Sequence, residues 1–495
     1  MEKRRTFRLA VNTLVSLVCA VILGYHFVSS LGFGVFAMRS ILAFAAPPAP
    51  QDIDGHTNVL LLGVGDKQHS GANLTDSIIL ASIDPKTRSV VLFSIPRDLY
   101  LTDTDGMYPG RINELYSNYT HQAERISGLS ASGASALALR SVAANIGKRM
   151  GVSIQGVLKM DFTGFENIVD TFGGVDIDVP LKIIDYTFPF AEGRVGTLTI
   201  EKGVHHFSGK EALQYARSRH STSDFDRSMR QQQILNALKA KVQGQNLLDN
   251  LGMIQKLRLA LQDHFETTFS DSDLFAVGAV LASISRNSVL SMNLNANVGT
   301  YFSDAAPGGF VLPAPTALVG SAAVLLPVSL NGKIGDWRQI QTLTSLLVSH
   351  RDVYLAHSVF TLIPAGANAQ QVQKLRNEFL RYGFTVTPNG ETQAAQDTSQ
   401  IINSGPNSVA ARFFSSLLHF PLQQASSATS RVLIILGKDF GSDPFQELQL
   451  SMVTSPCITI SDASGGAILS FSAHLYAPLQ TFSPSLLGCG DREGF

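Results

Sequence analysis

NVLLLGVGDKQHSGANLTDSIILASIDPKTRSVVLFSIPRD, residues 58–98, is the stretch whose reading decides the fold. Three short apolar runs, residues 58–64, 77–83 and 89–95, are separated by polar, turn-rich connections, the second of them Asp84-Pro85-Lys86-Thr87. Runs this short, rich in β-branched residues and bounded by Gly and Pro, fit buried strands better than helices. An α/β fold follows, with a central mixed sheet flanked by helices. In open sheets of this kind, ligand-binding groups gather just past the strand ends. Arg97 and Asp98 stand there after the third run, and the loops beside the first two carry Asp66 and Asp76.

Working outward, GRINELY adds Arg111 and Asn113, SGASALALRSVAANIGKRM reads as a helix, and GGVDIDVP at 173–180 reads as another strand. Ser208-Gly209-Lys210-Glu211 is a capping box that opens a helix ending at Arg217. Four arginines then fall within the fourteen residues 217–230, namely Arg217, Arg219, Arg227 and Arg230. A second helix beginning near Asp226 places Arg227, Arg230, Gln231 and Ile234 at helical neighbour spacing, near an N-terminus that favours anions. The guanidinium fork matches phosphate oxygens, so the cluster reads as a phosphate clamp; a solvated, ion-paired helix face is the alternative. Carboxylates beside such arginines make sense where a hard cation and a polyphosphate share a site, because Mg²⁺ is held by one or two carboxylates plus substrate phosphates.

The chain has 495 residues with 38 Lys+Arg against 39 Asp+Glu, so the arginine cluster is local and no basic surface for nucleic acid is expected. Its 45% hydrophobic and 16% charged content is apolar for a soluble protein. Part of the excess lies in residues 9–38, which contain no Asp, Glu, Lys or Arg and follow Lys3, Arg4, Arg5 and Arg8. A span needs only about 20 apolar residues. Residues 1–8 are therefore read as a cytoplasmic tail, 9–38 as a single-pass signal-anchor in the cell membrane, 39–56 as a Pro-rich linker, and the bulk as extracytoplasmic. A cleaved signal peptide, with Ala45-Ala46-Pro47 near its processing site, is the rival reading. Beyond Cys19, Cys457 and Cys489 are left as a pair in the tail, either bridged or as two thiols. No zinc motif occurs, the vicinal His205-His206 pair reads as a surface feature, and neither a P-loop nor a GxSxG elbow is matched.

A second unit follows Arg351. VYLAHSVFTLI reads as strand, NAQQVQKLRNEFLRYG as a helix ended by Gly383, FTVTP as strand, SVAARFFSSLLHF as helix and SRVLIILGKDF as strand, a βαβαβ unit. Residues 441–495 show no periodicity.

The order NVLLLGVGD, LTDSIIL, SVVLFSIPRD, GRIN, GGVDIDV, ALQYARSR, DFDRSMRQQ resembles the LytR-CpsA-Psr family of bacterial cell-envelope proteins over residues 57–345, closing near GDWRQI. Residues 352–440 resemble the C-terminal domain often appended to it, leaving 441–495 unassigned. The resemblance implies a metal-assisted phosphotransferase that moves a glycopolymer, such as a teichoic acid, with one phosphate, from a polyprenyl-pyrophosphate carrier to a peptidoglycan hydroxyl. It implies that Asp66 and Asp76 hold Mg²⁺ or Mn²⁺, and that Arg97, Arg111, Arg217, Arg219 and Arg227 clamp the pyrophosphate with support from Arg230 and Gln231. Asp224 matches the proposed general base and stands with Arg97 and Asp98 as the catalytic group. Three features depart from the family pattern: Leu74 where many members have arginine, Ser77 where threonine is usual, and an additional residue before Asp66 in the loop Gly63-Val64-Gly65-Asp66. A polyprenyl-pyrophosphate hydrolase and a non-catalytic envelope lipid-binding scaffold or regulator remain as competing readings.

Overall fold

The computed structural model describes residues 48–66, 73–101, 109–190, 194–218, 224–244, 256, 259–285, 288–294, 309–314, 323–327, 337–388, 393–405, 409–425, 431–441, 458–461 and 467–471. The expected anchor at 9–38, Arg219, and Cys457 and Cys489 lie outside them. Among the described residues no helix is long and apolar enough to cross a membrane.

The three apolar runs are strands β1 (Thr57–Val64), β2 (Thr75–Asp84) and β3 (Ser89–Ser94). A two-stranded ribbon, β4 (Tyr100–Leu101) with β5 (Gly110–Arg111), leads through a short 3₁₀ turn into α1 (Leu115–Ser127) and α2 (Ala131–Met150). Next come β6 (Gly156–Met160), α3 (Phe162–Thr171), β7 (Val175–Val179), the hairpin β8 (Ile183–Pro189) and β9 (Val195–Ile200), and β10 (Gly203–Phe207). Helices α4 (Gly209–Arg217) and α5 (Asp224–Gly244) follow, then β11 (Phe265–Thr267), α6 (Asp271–Ala282) and β12 (Val289–Asn293). The six-stranded sheet has the order β11-β6-β1-β2-β3-β12, mixed as expected. Pairs β1–β2, β2–β3 and β6–β11 are antiparallel, whereas β1–β6 and β3–β12 are parallel.

Alternation explains why these strands read as continuous apolar runs: both faces are covered. Leu60, Leu62, Ile78, Leu80, Val91 and Phe93 pack toward α2, while Val59, Ile79, Ala81, Val90 and Leu92 pack toward α6.

After β13 (Val311–Pro313) and β14 (Leu325–Pro327), α7 (Arg338–Ser349) and α8 (Arg351–Leu355) precede the second sheet. Its elements are β15 (Val359–Pro364), α9 (Ala369–Arg381), β16 (Thr385–Val386), β17 (Gln400–Asn403), α10 (Val409–Leu418), β18 (Leu422–Gln424) and β19 (Arg431–Leu436). Two expectations are corrected here. The strand expected across VYLAHSVFTLI begins only at Val359; its first part is α8, which buries Val353 and Tyr354 and lets Arg351 reach into the main sheet. His357, at φ 47°, makes the break between helix and strand. The unit also exceeds βαβαβ, because the order is β16-β15-β19-β17-β18 and β17 runs antiparallel to β19. Phe360, Phe379, Phe384 and Phe414 interlock at its centre, mostly edge to face, and join the cluster that reaches back to α7 and the main sheet.

Candidate functional site

Strand direction gathers the site. The C-terminal ends of β1, β3, β6 and β12 and the N-terminal end of β2 share one edge of the sheet, since β2 runs against β1 and β3 while β6 and β12 run with them. Asp66 follows β1, Asp76 is the second residue of β2, and Arg97 follows β3. Val64 pairs with Thr75, so the two aspartates leave adjacent strands at the same level.

On one flank lies an alternating chain of charges. Arg97 Nη1 is 2.8 Å from Asp76 Oδ1, and its Nε is 3.4 Å from Asp98 Oδ2. Arg111 Nε is 3.5 Å from the other oxygen of Asp98, and Arg111 Nη1 is 3.9 Å from Glu114. The backbone fixes this order: Asn113 N donates to the Arg97 carbonyl, Thr75 Oγ1 donates to the Asn113 carbonyl, and Arg111 pairs with Tyr100 in the β4–β5 ribbon.

On the other flank, α4 carries Arg217. The expected capping box at its start is present, with Ser208 accepting from Glu211 N and Glu211 accepting from Ser208 N. Gly209 lets α4 lie directly against α3: a Cβ there would stand 2.2 Å from the Glu166 carbonyl oxygen, and Gly209 N donates to Asp170 at 2.7 Å. Arg217 consequently ends over the ring of Phe162 at 4.4 Å and near that of Phe188 at 5.6 Å. The next residue, Thr163, donates its N–H to Asp66 Oδ1 at 3.0 Å, which ties Asp66 to the same helix start.

Helix α5 crosses this edge, docked by three consecutive glutamines, each with its own partners. Gln231 accepts from Ser77 of β2 at 3.0 Å. Gln232, buried, donates to Ser94, to the Met292 carbonyl and to Asn293, joining β3 and β12. Gln233 accepts from Tyr215 of α4 at 2.6 Å. Arg230 is buried, lies over the Tyr215 ring and donates Nη2 to the Ser218 carbonyl, bracing the segment that leads to Arg219. Ile234 is buried in the apolar cluster under α4, so this helix turn faces the protein. Asp224 and Arg227 belong to the first turn of the same helix, one to two turns before Gln231; their side chains lie outside the described residues. Arg219 lies outside them altogether.

The model of the LytR_cpsA_psr family matches residues 43–308, more than half of the chain. The chain belongs to the LytR_cpsA_psr family. A second model, the LytR cell envelope-related transcriptional attenuator, matches residues 365–440. Relatives include the polyisoprenyl-teichoic acid–peptidoglycan teichoic acid transferase TagV of Bacillus subtilis, 26% identical over 243 residues, covering 48% of this chain and 56% of TagV. The regulatory protein MsrR of Staphylococcus aureus is 29% identical over 232 residues, covering 46% of this chain and 61% of MsrR. The chain thus spans about three-fifths of the length of these curated relatives. The crystal structure of B. subtilis TagV superposes with a TM-score of 0.43 at 21% identity, over 60% of this chain and 99% of that one.

Within this LytR_cpsA_psr chain, sequence reading missed Glu166, Phe162 and the glutamines beyond Gln231. Nothing local marks them, because each matters through an element far away in sequence. Burial, together with the like charges of Asp66 and Asp170, pushes the Glu166 carboxyl above its ordinary range, and Lys210 and Arg217 oppose that shift. The donor set fits a hard divalent cation. Asp66 and Asp76 each give Oδ1 to a protein donor, and neither Oδ2 is hydrogen-bonded among the described residues. His205 and His206 stay on the surface, bound to the Glu201 carbonyl and to Asp176.

Proposed function

We propose that this protein is a membrane-anchored, extracytoplasmic phosphotransferase that moves a glycopolymer from a polyprenyl-pyrophosphate carrier to a peptidoglycan hydroxyl. The supporting observation is the meeting of Asp66, Asp76, Arg97 and Arg217 at one sheet edge, with the first turn of α5 leading into it. TagV is named for transfer of teichoic acid from a polyisoprenyl carrier to peptidoglycan, which supports the same class of substrates here.

Phosphoryl transfer asks a protein chiefly for positioning and charge neutralisation. Arg97 and Arg111 would receive pyrophosphate oxygens from one flank and Arg217 from the other, with Arg219 and Arg227 completing the clamp. The alternating Asp76–Arg97–Asp98–Arg111 chain holds both guanidinium groups in place before substrate arrives. Asp66 and Asp76 would hold Mg²⁺ or Mn²⁺, whose charge offsets that of the pyrophosphate. Asp224 would take the proton of the acceptor hydroxyl as its oxygen bonds to phosphorus and the polyprenyl phosphate leaves.

The test is incubation of the chain with a polyprenyl-pyrophosphate saccharide and Mg²⁺, with and without peptidoglycan fragments. Acceptor-dependent product is expected. Asp224→Asn should abolish it while lipid binding persists, and Asp76→Asn should weaken metal-dependent binding and turnover together. Equal lipid release without acceptor would make the protein a hydrolase, and tight binding with no turnover would make it a regulator.

A further inference from the structure

The linker sequence QDIDGH, residues 51–56, is folded onto the base of β1 at the end opposite the site. Asp52 Oδ1 accepts from Asp54 N at 3.0 Å and His56 N at 2.8 Å, and Asp52 Oδ2 accepts from Asn58 Nδ2 at 2.9 Å. Asp52 N donates to the His56 carbonyl, and Gly55, at φ 89°, turns the chain between them. Asn58 Nδ2 also donates to Ser153, and Thr57 donates to the Pro50 carbonyl, so the loop is pinned to the domain on two sides.

Those bonds leave one buried ring nitrogen without a role. His56 is 8% exposed, and among the described residues its buried Nδ1 has no hydrogen-bond partner. It points at Asp52 Oδ1, 3.6 Å away, too long for a hydrogen bond. A carboxylate oxygen of Asp54 completes a trio whose ligand atoms all lie within 4.8 Å of one another. Arg351, the cation whose charge reaches Asp52, commits its N–H groups to Val348, Ser82 and Ser89 instead.

Imidazole nitrogen and carboxylate oxygens bind Zn²⁺ at about 2.0–2.2 Å, which puts two ligand atoms in a tetrahedral shell about 3.4 Å apart. The separation of His56 Nδ1 from the Asp52 carboxylate is close to that value. Asp52 Oδ1 already accepts two N–H bonds, so Oδ2, which among the described residues accepts from Asn58 alone, keeps a lone pair available to an ion. Mg²⁺ and Ca²⁺ prefer all-oxygen sets, so the imidazole selects a borderline cation. We propose that Asp52, Asp54 and His56 form a binding site for a divalent cation of the Zn²⁺ type, separate from Asp66 and Asp76 by the length of β1, roughly 25 Å. Asp54, exposed, leaves the outer coordination positions to water. Bound there, the ion clips the linker to the root of the sheet and sets the direction in which the chain leaves the domain toward its N-terminus.

The experiment takes the full chain in detergent, strips it with a chelator and titrates it with ZnCl₂, reading stoichiometry by mass spectrometry of bound metal and affinity by calorimetry. One Zn²⁺ per chain should remain bound in Asp76→Asn, which leaves the linker untouched. Affinity should fall at least about tenfold in both Asp54→Ala and His56→Gln. Zn²⁺ should raise the melting temperature of the wild type and not of these two variants. Asp54 is exposed, so Asp54→Ala keeps the fold and the transfer activity. Equal Zn²⁺ affinity in wild type, Asp54→Ala and His56→Gln overturns the proposal, as does a wild type that binds none at high micromolar Zn²⁺.

Discussion

Replacing Arg97 by alanine removes the group that joins the two carboxylates beside the clamp. Its Nη1 lies 2.8 Å from Asp76, and its side chain is 18% exposed, so the partners are only partly screened by water. A hydrogen bond to a charged group is worth about 1.5–3 kcal/mol, and each 1.4 kcal/mol is a factor of ten. Loss of one phosphate contact at Arg97 should therefore weaken binding of a polyprenyl pyrophosphate by about 10- to 150-fold. The effect on folding should be smaller, about 1 kcal/mol or less, because Asp76 is 35% exposed and water can take over its solvation. Arg97→Lys should recover only part of the affinity, since an ammonium cannot reach Asp76, Asp98 and a phosphate oxygen with one planar fork. The assay is calorimetric titration of the full chain with a short polyprenyl pyrophosphate, alongside thermal melting. A change below about threefold in Arg97→Ala, with an unchanged melting temperature, would refute the assignment of Arg97 to the clamp.

Three further outcomes are expected. Arg351→Met strips four hydrogen bonds from a side chain that is 2% exposed and joins α8 to β2 and β3, so urea unfolding should show a loss of about 3–5 kcal/mol; below about 1 kcal/mol the brace is unimportant. Gly209→Ala forces a methyl against the Glu166 carbonyl and should cost about 1–3 kcal/mol while displacing Arg217, so weaker pyrophosphate binding should accompany the lower melting temperature. Burial against Phe413 holds the His350 pKa below 6.5, with Asp352 partly opposing. The neutral ring is thus favoured in the fold: stability present above pH 6.5 is lost as pH falls through the lower folded value, and His350→Gln should flatten that slope in acid melts relative to wild type.

Much of this protein was legible from its residues because local chemistry and tertiary demand agree there. The runs at 58–64, 77–83 and 89–95 are apolar on both faces because both faces of the sheet are covered, and runs so short, rich in β-branched residues and bounded by turns, fit strands better than helices. The capping box at Ser208 is a contract among four neighbouring residues and needs nothing distant. Asp66, Asp76, Arg97 and Arg111 are weak signals one by one, and it is their order along the chain with the other motifs that picks them out as candidates.

Tertiary structure decided the rest. VYLA became helix rather than strand because burying Val353 and Tyr354 and bonding Arg351 to Ser82 outweighs a weak local strand preference. β17, only Gln400–Asn403, takes its identity from the β19 strand it pairs with, some thirty positions later. Three adjacent glutamines look alike in the chain, yet successive side chains on a helix point about 100° apart, so each meets a different element. Arg230, one of four arginines indistinguishable by type, became a buried brace because its turn of α5 faces α4. Residue type and spacing thus marked the candidate groups. Which of them brace the fold from within was set by the packing of α5 across the sheet edge, a contact between segments more than 130 residues apart.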